Sequence, residues 1–374
     1  MIRWDLFCSV VDNLGDIGVC WRLARQLAAE HAAHVRLWVD DLATFRQLAP
    51  TLDAGTTVQR LGDIEVRAWK MPFALAEPAD VVVETFGCEL PAAYVEAMAQ
   101  RPRAPVWINL EYLSAESWVD GCHGLPSPHP QLPLIKYFFF PGFTAKTGGV
   151  PIERGLTRRR QTFQRNTAAT RRFLDGLGVR AETQGEVLVS LFCYPQAPLK
   201  ALLDAWAAGS QPIRVISFDG TPGAQALGAF GAGGGRRRGA LAGAILPFLA
   251  QDDYDRVLWA CDWNFVRGED SFVRAQLAAR PLVWQAYPQA GNAHGFKLQA
   301  FLDRYRGSAD LRCCLDVLWQ TWNGLTPVQG LPGAWAECME NRERLQTSAG
   351  QWPAQLEVLG DLAGNLAQFC AKRV

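Results

Sequence analysis

Two short acidic turns hold the residues of this chain best suited to chemistry. The first is Asp12-Asn13-Leu14-Gly15-Asp16-Ile17-Gly18. Before it, Leu6 to Val11 has the length and apolar density of a buried strand; after it, from Val19 to Ala28, apolar residues recur at three and four, as on an amphipathic helix. A glycine-bearing turn from strand to helix is where an open α/β sheet places its ligand, because backbone N–H groups converge there. Two carboxylates in such a turn repel a phosphate, so the expected partner is something cationic, or a proton to be removed. The second turn is Arg267-Gly268-Glu269-Asp270-Ser271, again between strand and helix. Gly268 allows close backbone approach, Asp270 or Ser271 can cap the helix, and the first N–H groups of that helix, with Arg267, can hold a diphosphate.

Aromatic residues of the second half fall at the boundaries of its expected elements. Phe192, Tyr194, Phe248, Tyr254 and Tyr287 fall at or near expected strand ends or helix starts. Most are core by default, but one or two can sandwich a planar base, with Gln251 reading its edge. Other motifs fail on their chemistry. The glycine stretch from Gly231 to Gly239 lacks the lysine and Ser/Thr of a P-loop and reads as a surface loop. Cys122, His123 and His129 lie close together without a second ligand cluster at zinc spacing, so no metal is expected. Neither H-E-x-x-H nor G-x-S-x-G occurs.

The elements that must position these turns alternate strand and helix. Strands are expected at Leu6–Val11, Val35–Val39, within Gly62–Lys70, at Ala79–Gly87, Pro105–Leu110 and Tyr137–Phe143. The pattern restarts with Val187–Phe192, Ile213–Phe218, Ala244–Leu249, Cys261–Val266 and Pro281–Gln285, with helices between. Such alternation argues parallel α/β sheets. A length of 374 residues exceeds the roughly 250–300 at which one core stops growing, so two sheet-and-helix domains are expected. Between them, Glu153 to Arg172 is basic and reads as a solvated helical connector.

Lys plus Arg equals Asp plus Glu at 37 each, so no global field steers the chain to nucleic acid or membrane. The 10 cysteines form no C-x-x-C pair and read as reduced. No signal-peptide pattern opens the chain, and no apolar run approaches the ~18 residues of a membrane span. A cytoplasmic location is expected.

Four stretches together resemble the EarP family of bacterial protein-arginine rhamnosyltransferases, which modify elongation factor P. They are Asp12 to Val19, Asn109-Leu110-Glu111-Tyr112-Leu113-Ser114-Ala115-Glu116, Phe140-Pro141-Gly142-Phe143, and Arg267 to Phe272, and the resemblance runs through essentially the whole chain. It implies an α/β chain of the GT-B class, with two Rossmann-like domains facing each other across a cleft. Residues 1–178 would bind the acceptor, with a C-terminal helix at 357–374 packing back on them, and 183–356 would bind the nucleotide sugar. The implied donor is dTDP-β-L-rhamnose and the implied acceptor one arginine of elongation factor P, joined with inversion and without metal or cofactor. Neither nucleic acid nor membrane is an expected partner, and the chain would be a monomer.

Carried over by motif, the catalytic acids are Asp12, Asp16 and Glu269. The donor contacts are Asn13, Gly15, Phe192, Tyr194, Phe248, Gln251, Tyr254, Arg267, Asp270, Ser271 and Tyr287. Asp16 is assigned as base and Asp12 as its orienting partner, while Glu269 holds the sugar or ribose or keeps its loop in place. Two rivals stand beside this: a GT-B sugar-nucleotide enzyme with a small-molecule acceptor, or an epimerase; and a non-catalytic module that binds a translation factor or RNA through Arg154 to Arg172.

Overall fold

The computed structural model describes the chain except residues 1, 13, 71–72, 181–182, 184, 233–236 and 306–311 and the side chains at 290, 312 and 313. It divides into two units, Met1–Arg154 with Leu356–Val374, and Gly155–Gln355. The first is built on β1 (Arg3–Cys8), β2 (His34–Val39), β3 (Val58–Leu61), β4 (Ile64–Ala68), β5 (Val81–Thr85), β6 (Val106–Leu110), β7 (Pro126–Pro128) and β8 (Ile135–Phe139). Their order is β3-β4-β2-β1-β5-β6-β8-β7. The inner strands are parallel and buried on both faces, which is why Val81-Val82-Val83 reads as a continuous apolar run and not as alternation. Antiparallel partners β3 and β7 close the two edges.

The second unit has β9 (Val187–Leu191), β10 (Ile213–Phe218), β11 (Arg237–Arg238), β12 (Leu241–Leu246), β13 (Trp263–Arg267) and β14 (Leu282–Gln285), in the order β11-β12-β10-β9-β13-β14. In each unit the first strand lies between neighbours reached in opposite directions: β1 between β2 and β5, β9 between β10 and β13. The carboxyl end of such a strand is the switch point where the loops diverge and leave a crevice. Both acidic turns open beside one of these strands.

The first strand ends at Cys8, short of the expected Val11, because the following residues are pulled off the sheet. Asp40, just beyond β2, accepts from the Ser9 hydroxyl at 2.6 Å and the Val10 N–H at 2.9 Å, and Val11 is left 71% exposed. The glycine-rich stretch after β10 contains a helix, Pro222–Ala229, that composition concealed. Thr221 caps it and Pro222 opens it, a pairing of cap and first-turn proline that outweighs the glycines. Residues 233–236 of the expected surface loop lie outside the described residues.

The basic helices Leu156–Arg165 and Thr167–Gly176 belong with the second unit, so the boundary falls after Arg154 and not at 178–183. Their attachment is specific: the Gln164 amide donates to the carbonyls of Trp259 at 3.1 Å and Ala278 at 2.9 Å, and Phe163 packs edge-on to Trp259. At the other end of the chain, helix Leu362–Ala371 returns Leu362, Ala363, Leu366 and Cys370 to the core of the first unit. No helix among the described residues is long and apolar enough to cross a membrane.

Candidate active site

In the first unit the Asp12 turn is held in shape by carboxylates. Asp16 sits in the first turn of helix Leu14–His31 with its side chain turned back. Its Oδ2 accepts from the N–H of Asp12 at 2.7 Å and of Val11 at 2.9 Å, and its Oδ1 accepts from the Tyr112 hydroxyl at 3.1 Å. Asp16 is fully buried, and burial raises its pKa above the usual aspartate value against the pull of these three donors. The Gly15 N–H donates to the Asp12 carbonyl at 2.8 Å. A Cβ on Gly15 would stand 2.8 Å from Asp12 Oδ2, so only glycine lets the half-buried Asp12 keep its place. Asn13 lies outside the described residues.

Two residues of this cluster were not picked from sequence. Tyr112 follows β6 and stacks on Phe86, which follows β5, with ring centroids 4.3 Å apart and planes 10° off parallel. Both strands end at the same edge of the sheet as β1, and that shared edge was the available signal. The result is an anionic patch with a buried, firmly oriented carboxylate. It can hold a cationic group and take a proton from it.

In the second unit Arg267 ends β13, and its guanidinium lies over two rings, 4.5 Å from the centroid of Phe192 and 4.6 Å from that of Tyr194. These two aromatics clasp an arginine here. The Tyr194 N–H donates to Gln285 Oε1 at 2.7 Å, and its ring meets the exposed Tyr287 edge-on at 5.6 Å. Phe248 and Tyr254 pack on Phe218, with Tyr254 also near Phe192, and burial pushes the Tyr254 phenol well up. Gln251 is buried, and its amide lies 3.4 Å from Asp270 Oδ2.

Gly268 takes a φ of +62°, a conformation that suits glycine alone, and its carbonyl accepts from Trp284 Nε1 at 2.9 Å. Trp284 in turn stacks flat on Phe272. Neither Asp270 nor Ser271 caps helix Asp270–Leu277: its cap position is Glu269, whose side chain makes no capping bond. The Ser271 hydroxyl turns back instead to donate to the Arg267 carbonyl, which closes the loop on itself. Glu269 is only 7% exposed and accepts from Lys297 Nζ at 2.9 Å. Lys297 and Gln285 come from elements beyond the turn, and no local motif links them to it. The arrangement offers a helix start, a clamped arginine and a lysine-paired carboxylate, a set that suits a phosphorylated ligand.

Among the described residues no cluster of His, Cys, Asp or Glu is placed to hold a metal ion. The His123 and His129 Nδ1 atoms each accept from backbone N–H groups. None of the described cysteines forms a disulfide.

A family model described as Elongation-Factor P (EF-P) rhamnosyltransferase EarP matches residues 4–371. A protein-arginine rhamnosyltransferase of Pseudomonas putida is 50% identical over 373 residues, covering 98% of each chain. A solved structure from work on the structural basis for EarP-mediated arginine glycosylation of translation elongation factor EF-P is 38% identical, with a TM-score of 0.70 and 100% of both chains covered. TcCGT1 in complex with UDP is 10% identical with a TM-score of 0.54, covering 99% of each chain, a likeness of fold alone. Two Rossmann-like units in one chain make the fold GT-B, and with a match over nearly its whole length the chain belongs to the EarP family of elongation-factor P rhamnosyltransferases.

Proposed function

We propose that this chain moves L-rhamnose from dTDP-β-L-rhamnose to the side chain of one arginine of elongation factor P, with inversion at the anomeric carbon and no metal ion or cofactor, and so activates that translation factor. It does so as a cytoplasmic monomer, without nucleic acid or membrane. The observation that supports this most, beyond family membership, is the carboxylate pair of the first unit: Asp16, buried and held by three donors, beside Asp12 in the same glycine turn.

An arginine side chain is protonated at neutral pH, with a pKa above ~12, and its nitrogen lone pairs are delocalised, so it is a poor nucleophile. Asp12 accepts N–H bonds from the guanidinium and restricts its plane. Asp16, whose raised pKa makes it the stronger base of an ordinary carboxylate, takes the proton as the new bond forms. In one displacement the arginine nitrogen bonds to the anomeric carbon, the bond from that carbon to the β-phosphate oxygen breaks, and its electron pair leaves with dTDP. Arg267 and the start of helix Asp270–Leu277 carry the charge of the departing diphosphate. Glu269 lies next to that charge and binds the ribose or sugar, with Lys297 offsetting its own negative charge.

Elongation factor P incubated with the chain and dTDP-β-L-rhamnose is expected to gain one deoxyhexose on an arginine, read by mass spectrometry, with an α linkage read by NMR. Asp16→Asn should abolish the gain while leaving the affinity for dTDP within about twofold, since Asp16 stands in the other unit's site. Modification of a small-molecule acceptor but not of elongation factor P would refute the reading, and salt-sensitive RNA binding without sugar transfer would favour the binding-module rival.

A further inference from the structure

The stretch Asn109 to Glu116 runs from the end of β6 into the first unit's site, yet only Asp12 and Asp16 have been given chemical work there. A carboxylate has about four acceptor positions. Among the described residues three of those on Asp16 are filled: two on Oδ2 by the N–H groups of Val11 and Asp12, and one on Oδ1 by the Tyr112 hydroxyl. One position on Oδ1 is left for a donor brought by a substrate. The side chain that decides where that position points is Tyr112, since it shares the same oxygen. Its own ring is fixed by the flat stack on Phe86, at 4.3 Å and 10°.

We propose that Tyr112 is the positioning residue of the acceptor site: its phenol orients Oδ1 of Asp16 so that the remaining lone pair meets the acceptor guanidinium. This rests on Asp16 being the base. Tyr112 is not itself a proton carrier in the step; it acts through the carboxylate. Other groups bear on the same carboxylate from neighbouring elements. Asp40 beyond β2 disfavours its charge, the backbone N–H groups of Val11 and Asp12 favour it, and the Cys8 thiol at the end of β1 is kept neutral by burial. Removing the Tyr112 hydroxyl leaves those in place and takes away one donor to the charged form, so Asp16 should bind its proton more tightly.

Tyr112→Phe keeps the ring stack and deletes only the hydroxyl. Two readouts test it, in the parent chain and in the variant. The first is the carboxyl 13C titration of Asp16 in the free protein, assigned by its loss in Asp16→Asn; the second is the pH profile of kcat for rhamnosyl transfer to elongation factor P. Both are expected to move up by about one pH unit, so that below the acid limb the parent-to-variant ratio of kcat is about tenfold larger than above it. The KM for the donor should not change. An Asp16 titration that superimposes on the parent's overturns the role of Tyr112. A shifted titration with kcat lowered equally at every pH overturns it too, because the contact then does not serve the base. Failure of the parent chain to modify elongation factor P while the titration shifts would instead overturn the acceptor reading and, with it, the catalytic part of this proposal.

Discussion

Asp16 is costly to keep. Its folded-state pKa lies above the ordinary aspartate value because its charge is buried, so the folded chain binds this proton more tightly than the unfolded chain does. The sign follows: stability attributable to Asp16 falls as pH rises from the unfolded value through the folded one, and the deficit is fully present above it. Asparagine can keep the two backbone N–H bonds through its own oxygen without the charge. Asp16→Asn is therefore expected to melt at the same temperature as the parent or higher at pH 7, with the difference vanishing below about pH 4; a melting temperature lowered at pH 7 would contradict this. A residue whose neutral replacement gains stability and loses activity is retained for its chemistry. Asp12, Asp16 and the Arg267 turn were legible in the sequence because each lies within a few positions of a glycine turn. Tyr112, Phe86 and Lys297 were not, since strand order and a distant helix bring them in, and no local spacing records that.

At the scale of elements, the long parallel strands were legible from apolar runs such as Val81 to Val83, and edge pieces were not. β7 and β11 have 3 and 2 residues, too few for periodicity to register. The helices of the second unit are tied together by a pair the sequence could not announce. Arg274 of helix Asp270–Leu277 binds Asp255 of helix Gln251–Ala260 through two bonds, at 2.6 and 3.0 Å, and both residues are buried. This pair fixes the helix that follows the Glu269 turn against the helix that carries Gln251 and Tyr254. Arg274→Met takes from the buried Asp255 the arginine that holds it by two bonds, and should lower the stability of this unit by about 3–5 kcal/mol in denaturant unfolding. Adding Asp255→Leu should recover much of that loss, because no charge is then stranded. If the double variant is no more stable than the single one, the pair is not what joins these helices.

The whole molecule closes its first unit with the end of the chain. Helix Leu14–His31 turns one face to both crossings. Arg22 pairs with Glu153 at 3.6 Å, the Gln26 amide donates to the Ile152 carbonyl and to Asp361, each at 2.9 Å, and Glu30 accepts from the Arg154 N–H at 2.7 Å. Spaced by four, these side chains share one stripe of the helix, and they clasp the segment that leaves the unit together with the one that returns to it. The buried leucines Leu356, Leu362 and Leu366 contribute about 1.5–3 kcal/mol each, comparable in sum with the net stability of a domain. A chain ending at Gln355 should therefore lose transfer to elongation factor P while the Gly155–Gln355 unit still binds dTDP in calorimetry; transfer at the parent rate would show the returning segment to be dispensable.

That clasp also sets an order in time. Synthesis runs from the amino terminus, and domains ordinarily fold as they emerge. Here β1, the Asp12 turn and helix Leu14–His31 are made early, but Leu362, Leu366 and Cys370, which complete their core, are made only after residues 155–355. The Asp12 turn waits, with its core open, while residues 155–355 are synthesised, so its carboxylates are finished only after the second unit has been made.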